Sequence, residues 1–152
     1  MNQAVAKPNE VIDDLNGLIE ICRDGQNGFA DASENISNPQ WKTFCLEQGR
    51  ERAKFVGELQ QQVQWLGGDP ENTGSATAAI HRAWINLKSS LGGGDASIMA
   101  ACETGEDSAL KVYKSVLEKA LPANIRQVVT EQCEHVQASH DRVKAMRDSF
   151  DE

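Results

Sequence analysis

Residues 75–91 read SATAAIHRAWINLKSSL and lie between two glycine-bearing breaks, Gly67-Gly68-Asp69-Pro70 before them and Gly92-Gly93-Gly94-Asp95 after. Within the stretch Ile80, Ala83, Trp84, Leu87 and Leu91 recur at the three- and four-residue spacing of an amphipathic helix. At ~1.5 Å per residue such a helix runs about 25 Å. That is enough to return the chain from one end of a helical bundle to the other.

The segments on either side of this stretch also have helical periodicity. Before it, Val11, Leu15, Leu18, Ile19, Cys22, Gln26 and Phe29 form one stripe. Trp41, Phe44, Cys45, Gln48, Arg52, Phe55, Leu59, Val63 and Leu66 form a second. Between the two stripes, Ser37-Asn38-Pro39 reads as a short turn with Asn38 as N-cap and proline at the first helical position, and Gly67-Gly68 reads as a helix stop. After the crossover, Ile98, Cys102, Glu106, Ala109, Tyr113, Val116 and Leu117 align. Beyond the Leu121-Pro122 break, so do Ile125, Val128, Gln132, Val136, Val143 and Met146. Asp95, following three glycines, is expected to cap the third long helix. Short turns join antiparallel helices, so the pattern is a hairpin, a helical crossover and a second hairpin. The expected fold is all-α, a ferritin-like four-helix bundle in one domain over residues 1–152, with residues 1–8 as a flexible tail.

Composition narrows the function classes. A chain of 152 residues is long enough to bury a core without staples. Eight aromatics, three Trp, four Phe and one Tyr, leave most of that core to aliphatic side chains. The formal net charge of −8, with no basic stripe, argues against nucleic acid and anionic membranes as partners. Residues 1–10 contain no apolar run, so neither a signal peptide nor a membrane span is expected there and a cytoplasmic location is the default.

Ferritin-like metal centres need a Glu from each of two helices and a Glu-x-x-His pair from each of the other two, all pointing inward. The polar residues on the inward stripes are instead Gln26, Gln48, Arg52, Glu106 and Gln132, with Glu51 and His140 at the stripe edges. Gln48-x-x-Glu51 stands where Glu-x-x-His would be expected, and His135 of Gln132-x-x-His135 faces outward. Glu20, Asp24 and Glu47 fall off the apolar face. The favoured reading is a polar core network in which Arg52 pairs with Glu106 and the glutamines satisfy the remainder. The alternative is a site for iron or another divalent metal built from Glu106 with Glu103, Glu51 or His140. His81 and Trp84 are expected to anchor the crossover, and Asp141 and Arg142 to be surface charges. The four cysteines, Cys22, Cys45, Cys102 and Cys133, have no closely spaced ligand pattern and read as buried thiols. A thiol switch would require two of them to meet.

With the segments laid out, the chain resembles an uncharacterised bacterial family of ferritin-like four-helix-bundle proteins, domain of unknown function 2383, from about residue 11 to residue 148. The resemblance is carried by Leu15-Asn16-Gly17-Leu18-Ile19-Glu20, Asp24-Gly25 with Gly28-Phe29, and Leu66-Gly67-Gly68-Asp69-Pro70-Glu71. It is carried further by His81-Arg82-Ala83-Trp84, Cys102-Glu103-Thr104-Gly105-Glu106-Asp107 and His140-Asp141-Arg142-Val143. It implies a fold and not a reaction. Gln26 and Asn27 are amides where relatives look acidic. The functional expectation is a non-enzymatic binding or stress-related module with a degenerate metal site and no resident cofactor, acting on a protein partner or by self-association. The competing expectation is a metal-binding protein that stores iron or reacts with oxygen or peroxide.

Overall fold

A computed structural model of the chain describes residues 7–71 and 84–151. Residues 1–6 of the tail expected at 1–8, and the first part of the crossover with Ile80, His81 and Ala83, lie outside the described residues, whereas Pro8 already belongs to the first helix. Among those described there are five α-helices and no strand: α1 (Pro8–Asn35), α2 (Pro39–Trp65), α3 (Ile85–Ser90), α4 (Asp95–Leu117) and α5 (Ala123–Asp148), with a 3-10 turn at Ser149–Asp151. α1 packs along α2 and α4 along α5, and the two hairpins meet through α1 against α4 and α2 against α5. This is the ferritin-like arrangement of two antiparallel hairpins. The end of the crossover, α3, lies against α4.

The helix ends follow local chemistry, with one exception. Pro8 and Pro39 open α1 and α2 at positions where no amide donor is needed. The Asn38 side-chain oxygen accepts from the amides of Gln40 and Trp41, and Gly67, at φ +83°, ends the first hairpin in the left-handed region. Asp95, however, does not cap its own helix. Gly94 precedes α4 without a side-chain cap, and the Asp95 carboxylate instead accepts from the backbone amides of Ser37 and Asn38, 2.8 and 3.0 Å away. It thereby ties the start of α4 to the α1–α2 turn, because two otherwise orphaned amides lie within its reach there.

The core divides into two halves. One gathers Val11 to Cys22, Phe55 to Val63, Ala109 to Val116 and Ile125 to Val136. The other gathers Phe29, Phe44, Trp84, Ile98, Met99 and Val143. Between these halves lie the buried residues Gly25 of α1, Arg52 of α2, Glu106 of α4 and Ser139 of α5. The middle of the bundle is therefore polar.

Candidate functional site

Arg52 of α2 and Glu106 of α4 are 1% and 0% exposed. Arg52 Nη2 lies 2.7 Å from one Glu106 oxygen and donates to the other at 2.8 Å. Ser139 of α5 donates to that second oxygen at 2.5 Å. Gly25 of α1 supplies the space: a Cβ there would lie 3.0 Å from Arg52 Nη1. The Phe29 ring covers the guanidinium at 5.5 Å. Burial opposes the charge on Arg52, but the neighbouring Glu106 outweighs it and holds the guanidinium above even its ordinary range.

A second buried chain runs beside this pair. The Cys22 thiol donates to the Tyr113 hydroxyl at 3.1 Å, and Tyr113 donates to Gln132 Oε1 at 2.8 Å. Gln132 Nε2 donates to Glu58 at 3.0 Å and to the Phe55 carbonyl at 3.4 Å. Burial pushes the Cys22 thiol up to about 11 and raises the Tyr113 phenol well above its usual value. Neither group is a reactive anion at neutral pH.

The remaining sequence candidates are dispersed. Gln26 and Gln48 are half-buried. α2 closes on α1 at Gly49, where a Cβ would meet the Gln26 carbonyl at 3.5 Å, so the flanking glutamines sit at the rim. Glu51 is also at the rim, 3.9 Å from the exposed His135. Trp84 lies between α1 and α4, where a Cβ on Gly28 or Gly105 would overlap its ring, and it meets Phe29 edge-on at 5.5 Å. His81 lies outside the described residues. All four cysteines are buried and free. The neighbouring Cys45 thiol, together with burial, raises the Cys102 thiol well above its ordinary value.

On the outer face of the second hairpin, Glu103, Asp107 and His140 bring ligand atoms within 4.8 Å of one another. His140 Nε2 is 2.6 Å from Asp107, and Nδ1 is 3.1 Å from Asp141, although neighbouring residues on a helix seldom face each other. Burial opposes protonation of His140, but its bonds to Asp141 and Asp107 outweigh that and raise its pKa. Arg147 Nη1 lies 2.7 Å from Glu103. The sequence reading chose Glu103 and His140 but grouped them with Glu106 and Glu51; the structure sets Asp107 beside them instead. Glu103 and Asp107 are four apart on α4, a spacing that places both carboxylates on one helix face. Ser139 also escaped notice, though it lies seven residues after Gln132 on the same stripe.

A family model for a domain of unknown function (DUF2383) matches residues 10–119. The chain belongs to the DUF2383 family. No curated protein matches its sequence significantly. Among solved structures, this DUF2383 protein is similar to a mutant of Dps1 from Mycobacterium smegmatis, with a TM-score of 0.79 at 15% identity over 95% of this chain and 99% of that one. At that identity the likeness speaks for the ferritin-like fold alone. The fold raises the prospect of an interior metal pair, and the residues present do not fit one. Arg52 is permanently cationic, its Nη2 lies within 2.8 Å of both Glu106 oxygens, and Ser139 donates to one of them. Among the described residues no helix is long and apolar enough to cross a membrane.

Proposed function

We propose that this DUF2383 protein is a non-enzymatic ferritin-like module, a binding or stress-related protein whose interior metal position has been replaced by an ion pair. The observation that supports it is the Arg52 guanidinium at the middle of the bundle, 2.7 Å from Glu106. Two metal ions need several convergent carboxylates and imidazoles. A fixed cation in their place repels them and occupies Glu106, the one buried carboxylate among the described residues. Such a bundle acts through its surface, on a protein partner or on a second copy of itself. Iron(II) added anaerobically to the full chain, followed by air, tests this: ferric absorbance should rise no faster than in protein-free buffer. Rapid oxidation of two equivalents per chain would overturn the reading.

A second reading, a protein that binds a divalent metal, is favoured by one observation, the grouping of Glu103, Asp107 and His140 on the outer face. It concerns a different part of the molecule and does not need the interior.

A further inference from the structure

Three features separate the Glu103–Asp107–His140 group from an ordinary patch of surface carboxylates. It contains an imidazole. It spans two helices, with Glu103 and Asp107 on α4 and His140 on α5. Finally, a fourth side chain holds the imidazole by its far nitrogen, because Asp141 Oδ1 lies 3.1 Å from Nδ1 while Nε2 faces Asp107 at 2.6 Å. A carboxylate behind a histidine that faces other ligands fixes the ring and its tautomer and so readies the imidazole to bind a metal.

We propose that Glu103, Asp107 and His140 form a mononuclear site for a first-row divalent cation, with zinc(II) the closest match. Imidazole nitrogen and carboxylate oxygen are donors that zinc takes, and three protein ligands leave a position for water. Bonds of about 2.0–2.1 Å place tetrahedral ligand atoms about 3.4 Å apart. The three ligand atoms lie within 4.8 Å of one another, with His140 and Asp107 already 2.6 Å apart, so side-chain rotation of Glu103 and Asp107 is what closes the set. On binding, the cation takes the place of the proton on His140 Nε2, which leaves to solvent. Arg147 holds Glu103 Oε2 at 2.7 Å, and a carboxylate has a second oxygen to offer. With Asp141 the local charge is three carboxylates against Arg147, with Lys111 and Lys114 lining the adjoining recess.

Calorimetric titration of zinc chloride into the full chain, purified without a histidine tag and stripped with chelator, tests the assignment. The expected result is one equivalent bound. Asp141→Asn should weaken it about tenfold, and His140→Ala and Asp107→Asn at least as much. His135→Ala should leave binding unchanged, since His135 is exposed beside Glu51. Circular dichroism establishes that each variant is folded, and Asp107→Asn keeps the side-chain volume should the alanine variant misfold. Uptake below about 0.2 equivalent, or full affinity in folded His140→Ala, overturns the proposal. Iron oxidation reads the interior separately, so failure of one reading is distinguishable from failure of the other.

Discussion

Arg52 and Glu106 make the electrostatic interaction most enclosed by protein among the described residues, and they can be tested as a pair. Removing either partner leaves the other's charge buried, a change that costs about 3–5 kcal/mol. Replacing both with apolar residues removes that cost. Arg52→Met and Glu106→Leu should each lower the free energy of urea unfolding by about that amount, whereas the double variant should return near the wild-type value or above it. Simple addition of the two single losses would show that the pair is not coupled. The partnership was legible in the sequence because both residues sit at core positions of their stripes, where an unpaired charge is untenable. Gln132 was legible for the same reason. Gln26 and Gln48 were misjudged because a helical wheel gives direction but not depth, and the close approach at Gly49 puts the flanking residues at the rim. Asp107 was missed because it is exposed, and an exposed acid reads as solvated until a histidine from another helix is seen beside it.

At the scale of the element, α1 and α4 are held apart by the Trp84 ring and can accept it only because Gly28 and Gly105 lack side chains. A methyl group on Gly105 would overlap the ring, so Gly105→Ala should lower stability by about 1–3 kcal/mol, the usual cost of overpacking. Gly57 of α2 is the contrast. Nothing lies within 4 Å of a Cβ there, and Gly57→Ala should raise stability by about 0.5–1 kcal/mol through helix propensity alone. Thermal or urea unfolding reads both, and equal effects would mean that the Trp84 slot is not a constraint. The four long helices were legible because their apolar spacing is sustained over more than twenty residues each. Asp95 was not, because its partners, the amides of Ser37 and Asn38, are 58 and 57 positions away in sequence and only the closed bundle brings them near.

At the scale of the molecule, two hairpins and a crossover enclose an interior whose middle layer is Gly25, Arg52, Glu106 and Ser139. That layer separates two apolar halves and uses the only carboxylate it contains to neutralise a guanidinium. Shared architecture with a ferritin-like protein carries over the scaffold alone, because chemistry is set by the side chains of such layers and not by the fold. The Glu103–Asp107–His140 group on α4 and α5, half-buried but for Asp107, is separate from that layer.

The most direct measurement is anomalous diffraction from crystals of the chain grown with excess manganese or iron. The account predicts no anomalous peak within the bundle interior, and Arg52 still bonded to Glu106. Two peaks between the hairpins, with Glu106 turned away from Arg52 to ligate them, would contradict it.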